Sequence, residues 1–581
     1  MLSDLFLRID GSSAQELTPS KSRFVMYASF FVAGICGLFM IGIAWKVFGP
    51  TVHPDEWGFL SNGQVMVGHT EAPIPTGSFY PAGYGVVTGL GALLTGSMSG
   101  AFRFSLMSNV LFAIITAFCA GRLAFRGFGA SRVTGVVAGT LVFVMPGTIV
   151  SAMFSWPETV SRLVFVLFVA GVLATCQNPR LRNVILMGVG AGLMPALHGR
   201  FTLLLPIVCL LYLFWARKKF VSLSTAILGC AVTSLAYIST YVLNKFVKGA
   251  LYAESYDQEN RLLSRLFYPK VWPALLRTMV GQSWYLLATS FGLVGIAVVF
   301  ACAELRTAAP QDSGRINPRK TTVSVVLLGS FLIIFTGGLQ LLHGNRGDHL
   351  IYGRYVEILV PVLVVFAAVG LEKHLVLSLR AWFVSAISIL LIAFTYVLID
   401  WGDGVKGGYL RGNIVFPNII GTDILKYVVT PSLVQFALIF AAGTLLLWLV
   451  ARKTYVLALL LLTVTLGMGS MYSGQHSVLS RSDDLEQVRE TIALAKTSTE
   501  SRVGFDMGVR NDEAYYYLRY ILHPIKLVRF DISSPAAVIP AQYLCLYGFP
   551  NKPPSDGEWR IVADEKVLQR VLWQRVGAPH C

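Results

Sequence analysis

Residues 24–57 read FVMYASFFVAGICGLFMIGIAWKVFGPTVHPDEW. From Phe24 to Phe48 the only charge is Lys46. A helix rising 1.5 Å per residue crosses a hydrocarbon core of ~30 Å in about 20 residues, so this block is long enough to span a membrane. The run His53-Pro54-Asp55-Glu56-Trp57 then meets water at a membrane face. Two adjacent carboxylates at such a place, in a chain this apolar, point to general acid/base chemistry. A solvated turn after Pro54 is the plainer alternative.

Of the 581 residues, 55% are hydrophobic and only 13% charged, against about 25% charged in soluble domains. The apolar residues recur in blocks of spanning length at about 24–47, 104–124, 133–153, 159–176, 183–198, 201–216, 221–243, 282–302, 321–342, 354–371, 381–400, 431–451 and 454–472. The expected architecture is a polytopic α-helical membrane protein of about thirteen transmembrane helices. The recurrence excludes a single anchor carrying a large soluble domain. Residues 1–23 are mixed polar, with Lys21 and Arg23 before the first block. That block is longer than a signal-peptide core and no small-x-small site follows it, so an uncleaved first helix is expected. Val86–Leu94 is Gly-rich and apolar, as in a re-entrant or interfacial segment.

The net charge of +16 does not imply nucleic acid. Much of it falls in short loops: Arg122, Arg126 and Arg132; Arg180 and Arg182; Arg217, Lys218 and Lys219; Arg306, Arg315, Arg319 and Lys320; Lys373 and Arg380; Arg452 and Lys453. Such loops face the cytoplasm, which puts the N-terminus inside a plasma or inner membrane. The longer segments 48–103, 244–281, 343–353 and 401–430 then lie outside, and an odd helix count puts the C-terminal region outside as well. The chain shows no internal repeat, which argues against an inverted-repeat transporter.

Composition changes from about Ser473, so the organisation expected is a cytoplasmic segment 1–23, a membrane domain 24–472 with a long first outer loop 48–103, and an extracytoplasmic α/β domain 473–581. Within the last, strands are expected at Arg502–Met507, Ile525–Asp531, Ala541–Tyr547 and Trp559–Ala563, and a helix at Asp512–Leu522. It has no glycine-rich phosphate motif. Cys545 and Cys581 both fall in it and are candidates for a disulfide. The other six cysteines lie in or beside apolar blocks, without metal-ligand spacing.

Five clusters fall on the expected outer face. Besides the first (His53, Asp55, Glu56, Trp57), they are Ser155-Trp156-Pro157-Glu158; His198-Gly199-Arg200; Gly281-Gln282-Ser283-Trp284-Tyr285; and His343 to Tyr355, followed by Glu357 and Pro361. The last contains Arg346, His349, Tyr352 and Arg354. Carboxylates for a base and arginines for a phosphate converge there, and the guanidinium fork matches phosphate oxygens. Each cluster has a plainer alternative: Glu158 as a helix cap, His198 and Arg200 as a helix end, Trp284 and Tyr285 as interfacial anchors. Arg354 and Glu357, three apart, would share a helical face at the mouth of the tenth helix, with a structural ion pair as the plainer alternative. Trp57, Tyr80, Tyr84 and Trp284 are candidates to stack on sugar faces.

The ordered combination resembles the GT-C type integral-membrane glycosyltransferases that use a polyprenyl-phosphate sugar. These include protein O-mannosyltransferases, the aminoarabinose transferase of lipid A, and actinobacterial arabinofuranosyl- and mannosyltransferases of the cell envelope. The features that carry the likeness are the acidic pair after the first helix, the helix number and topology, the late Tyr352-Gly353-Arg354-Tyr355 run, and the outer C-terminal domain. The resemblance implies a catalytic base at Asp55 or Glu56, with Asp55 favoured as the first acid after the helix. It implies that Arg346 and Arg354, with Arg200, hold the donor phosphate. Glu158 is the nearest match to a second acidic residue. His53, Trp57, Glu158, His198, Trp284, Tyr285, His349, Tyr352 and Glu357 would contact substrate. The implied partners are a polyprenyl-phosphate sugar (arabinofuranose or mannose), a glycan or glycolipid acceptor and membrane lipids. The resemblance implies no particular cofactor and leaves open a divalent cation held by Asp55, Glu56 and a phosphate. A transporter or lipid-linked-glycan flippase is the competing class.

Overall fold

The computed structural model describes residues 18–50, 54–69, 79–252, 263–306, 316–342, 351, 353–403, 433–497, 502–507, 512–532, 538–578 and 581. It is a bundle of long apolar helices followed by a small sheet. In chain order the helices are α1 Pro19–Lys46, α2 Pro54–Met66, α3 Gly85–Thr95, α4 Met98–Arg122, α5 Arg132–Val144, α6 Pro146–Ala152, α7 Glu158–Gln177, α8 Leu181–Leu193, α9 Leu204–Arg217 and α10 Leu223–Leu251. They continue as α11 Val271–Thr289, α12 Leu293–Arg306, α13 Pro318–Gln340, α14 Val360–Lys373, α15 Leu375–Asp403, α16 Leu433–Ala451, α17 Tyr455–Gly474, α18 Ser480–Thr491, α19 Ala493–Thr497 and α20 Glu513–Ile521.

Among the described residues nine helices are long and apolar enough to cross a membrane, and this is a multi-pass membrane protein. The remaining four expected spans take other forms. The block 133–153 is α5 and α6, bent by 50° where Pro146 begins a new helix, as a residue without an N–H does. The block 282–302 is not one helix. It is the end of α11 and the start of α12, which meet at 105°. There Phe291 and Gly292 both have positive φ (50° and 81°). This conformation suits glycine and is uncommon elsewhere. The Trp382 indole N–H, 2.6 Å from the Phe291 carbonyl, holds the corner. The blocks 183–198 and 354–371 are shorter helices, Leu181–Ala196 and α14, flanked by 3-10 turns. The segment expected as the first outer loop contains α2 and α3, both packed into the bundle.

The C-terminal sheet has the order β2-β1-β3-β5-β4, with β1 Arg502–Asp506, β2 Lys526–Phe530, β3 Cys545–Gly548, β4 Trp559–Glu565 and β5 Arg570–Arg575. β1 pairs in parallel with β2 and β3 (Val503 with Leu527, Phe505 with Tyr547), whereas β5 runs antiparallel to β3 and β4. Strand β5 was not anticipated. Its Arg570-Val571-Leu572-Trp573-Gln574 run is buried throughout, so it lacks the alternation of a half-exposed strand. Cys545 and Cys581 form a disulfide. Helix α20 is capped by Asp512, whose carboxylate accepts from the Ala514 N–H at 3.0 Å. It is two-faced. Tyr515 turns to Phe505 of the sheet (5.3 Å between rings). Tyr516 and Tyr520, four apart and so on one face, turn to α2, where they flank Trp57 at 5.7 and 5.6 Å. Arg519 donates to the Ser61 hydroxyl (3.2 Å) and Tyr520 to the Phe48 carbonyl (2.9 Å). The sheet domain is thereby seated on the helix that carries the acidic pair.

Candidate active site

Asp55 and Glu56 occupy the first turn of α2. Adjacent residues on a helix diverge by about 100°, so the two carboxylates part company. Glu56 turns inward, is fully buried, and accepts the Ser155 N–H at 2.7 Å. Asp55 stays partly exposed. The bond from Ser155 draws the Ser155-Trp156-Pro157 stretch alongside α2, and Glu158, the first residue of α7, comes to face Asp55. An acid in a first turn also suits the helix dipole.

Arg354 sits between them. Its Nη1 bonds the Asp55 carboxylate and its Nε the Glu158 carboxylate. The guanidinium lies over the Trp156 ring, 4.0 Å from its centre, and Trp156 is itself stacked on Phe154. His198 Nε2 is 3.6 Å from the same Glu158 oxygen. Arg200 is buried, with its guanidinium over the Tyr355 ring (3.7 Å) and Nη1 donating to the Tyr355 carbonyl (3.1 Å). Tyr80 lies against Asp55. Burial first, then the Asp55 charge, holds its phenol well above the ordinary value, which keeps it a neutral donor. Of the candidates from the sequence, Asp55, Glu158, His198, Arg200 and Arg354 thus meet in one cluster. His53, Arg346, His349 and Tyr352 lie outside the described residues.

Other expectations need correcting. Arg354 and Glu357 do not share a helical face or pair. Pro361 lies in the first turn of α14, which starts only at Val360, and Glu357 belongs to a 3-10 turn before it. Glu357 instead pairs with Arg162 at 2.6 Å and accepts from the Tyr285 hydroxyl, both partners being buried. Arg162 also donates to Ser151 (3.2 Å). Tyr285 and Trp284 are therefore not interfacial anchors. Trp284 is buried and donates to the Ile389 carbonyl at 2.9 Å. Nor are Trp57 and Tyr84 open to a sugar. Trp57 is covered by Tyr516 and Tyr520, and Tyr84 is buried with its hydroxyl on Asn109 at 3.0 Å. Packing of these flat rings between elements contributes more than leaving their faces to water. Gly353 has a steric reason: a Cβ there would overlap the Tyr285 ring.

Three participants were missed by residue type. Arg162 is a charge inside an apolar run, a signal that was present. Trp156 belongs to the Ser155–Glu158 cluster, and nothing in its sequence neighbourhood marks it as a platform for an arginine. Tyr516 comes from the C-terminal domain, and nothing local marks it. Among the described residues no group of three or more His, Cys, Asp or Glu is arranged to hold a metal.

No protein-family model matches the chain, and no curated protein does. Solved structures do. ArnT from Cupriavidus metallidurans in the apo state superposes with a TM-score of 0.52 at 14% identity, covering 94% of this chain and 97% of that one. The same enzyme bound to undecaprenyl phosphate gives 0.52 and 14%, covering 94% and 98%. Arabinosyltransferase EmbB from Mycobacterium smegmatis gives 0.40 and 14%, covering 82% of this chain and 43% of that one. The chain has the GT-C fold, with a small C-terminal sheet domain, of the ArnT structures that match it along nearly its whole length.

Proposed function

We propose that this protein is a glycosyltransferase that moves a sugar from a polyprenyl-phosphate carrier to a hydroxyl of a cell-envelope glycan or glycolipid. The observation that carries the reading is the junction of Asp55, Glu158 and Arg354, with Arg200 nearby, at one end of the helices. The likeness in fold to a protein seen with undecaprenyl phosphate supports the donor class. Arabinofuranose or mannose is the sugar proposed. The site is assigned to the outer face of the cell membrane, with the N-terminus inside, because the basic loops lie at the opposite helix ends.

Asp55 is the proposed base, taking the proton of the attacking hydroxyl. Glu56 serves it by anchoring Ser155 and so Glu158. In the resting arrangement both carboxylates are tied to Arg354, and an Asp55 aimed at a guanidinium is not aimed at a hydroxyl. A donor phosphate arriving at Nη1 of Arg354 would take the place of Asp55 there. The arginine then stabilises the leaving phosphate, while Asp55 is freed for the acceptor. Attack on the anomeric carbon, cleavage of its bond to the phosphate oxygen, and proton loss to Asp55 form a single displacement with inversion. Glu158 remains on Nε and keeps the guanidinium oriented. Arg200 adds positive charge, and Arg346 remains a candidate.

The test is transfer by the purified full chain from polyprenyl-phosphate-arabinose and polyprenyl-phosphate-mannose, each offered separately with envelope glycan fragments. Transfer from one donor, lost in Asp55→Asn, supports the reading and names the sugar. A folded protein that binds and transfers neither overturns it.

A further inference from the structure

A concave feature lies at the end of the helices opposite the acidic cluster and is independent of the reading above. Helices α1, α4 and α5 enclose a groove of about 840 Å³, a size typical of ligand pockets. Its walls are apolar, with Phe30, Gly34 and Ile41 from α1, Phe118 from α4 and Phe143 from α5. It extends along α1 from Met26 to Ile41, about 22 Å at 1.5 Å per residue. One leaflet offers about 15 Å of hydrocarbon, so the groove reaches from one membrane face past the midplane.

Apolar walls alone would say only that lipid touches the protein. The mouth says more. Arg122, Arg126 and Arg132 line it, and all three are exposed. Among the described residues no carboxylate forms a salt bridge with any of them. Glu372, at the same end, is occupied by the Ser131 N–H and hydroxyl at 2.8 and 3.0 Å. The pairing of a long apolar channel with a cationic rim at one membrane face matches a single kind of occupant, an amphiphile with an anionic head. Gly34 adds a separate mark. A Cβ built there meets no atom within 4 Å, so no packing contact demands glycine, although a helix interior favours almost any other residue. Its effect is to leave the groove open.

We propose that this groove binds one anionic phospholipid of the leaflet opposite the acidic cluster, with an acyl chain along α1 and the phosphate on the three arginines. The experiment reconstitutes the full chain in phosphatidylcholine bilayers with or without phosphatidylglycerol, and counts retained lipid by native mass spectrometry. Wild type should retain one phosphatidylglycerol in preference to phosphatidylcholine. Loss of each arginine should weaken retention about fivefold, the effect of one basic residue near a membrane surface, and Arg122→Gln/Arg126→Gln/Arg132→Gln about a hundredfold. Gly34→Leu should abolish retention by filling the groove, with an unchanged unfolding temperature in phosphatidylcholine. If the triple variant fails to insert, Gly34→Leu decides alone. Equal retention of both lipids by wild type, or undiminished phosphatidylglycerol on Gly34→Leu, overturns the proposal. So does displacement of phosphatidylglycerol by equimolar polyprenyl phosphate, which would make the groove a store for the carrier.

Discussion

Arg354→Ala separates the structural from the chemical part of the acidic cluster. The Glu158 side chain is 1% exposed, that of Arg354 11% and that of Asp55 29%. Removing one partner of a buried ion pair costs about 3–5 kcal/mol, because the other charge stays buried and unpaired. That cost falls mainly on Glu158. Asp55 is nearer to water, and its share is at most ~1 kcal/mol. Loss of the contact with Trp156 adds about 1 kcal/mol. The single variant should therefore unfold well below wild type, and it should no longer bind polyprenyl phosphate. Adding Glu158→Gln removes the orphan charge, so the double variant should regain most of the stability, remaining about 1–2 kcal/mol short. It should not regain lipid-phosphate binding. The assay is denaturant unfolding of the full chain in nanodiscs, beside titration with polyprenyl phosphate. A double variant no more stable than Arg354→Ala would refute the claim that Arg354 compensates the buried Glu158 charge. Wild-type affinity in Arg354→Ala would refute its role with phosphate.

Other outcomes follow from the same geometry. Asp55→Asn should lower the transfer rate by about 10²–10⁴-fold, the range for general bases, while stability stays within about 1 kcal/mol of wild type; a near-normal rate removes Asp55 from the chemistry. Gly353→Ala should destabilise and impair activity together, because the added methyl displaces Tyr285 from Glu357; an unaltered melting profile would show that the contact yields freely. Breaking the disulfide with Cys581→Ser opens a loop of 36 residues, and chain entropy puts the cost at about 4 kcal/mol, read as lowered stability of the C-terminal domain under limited proteolysis. Burial raises the affinity of Glu565 for its proton above the ordinary carboxylate range, so its stabilising contribution is present at low pH and lost as pH rises through the folded value. Glu565→Gln should accordingly raise stability at neutral pH, with an advantage that shrinks as pH falls toward about 4.3; an advantage constant with pH would contradict that sign.

The spans and the acidic pair were readable because they depend on local composition. An apolar run of twenty residues has few alternatives to a membrane helix, and charges in so apolar a chain stand out. The bend at Phe291-Gly292 was hidden, because hydropathy is blind to φ. The partner of Glu357 is hidden from the sequence for a similar reason. Spacing three apart suggested Arg354, but the helix starts late, and Arg162 on α7 reaches Glu357 instead. The aromatic candidates looked alike in sequence, yet Trp57 and Trp284 are enclosed by other elements, whereas Trp156 carries the Arg354 guanidinium.

The sequence alone therefore determined a polytopic helical membrane protein, an α/β tail and a short set of acids and arginines gathered at one helix end, since each rests on composition and periodicity along the chain. The tertiary structure decided which of those charges meet. It turned Glu56 into a support, left Asp55 a partly exposed carboxylate, joined Asp55 to Glu158 through Arg354, and sealed α2 beneath Tyr516 of the distant sheet domain. Those outcomes depend on contacts between residues hundreds of positions apart, and burial of a charge is settled only when its partners arrive together.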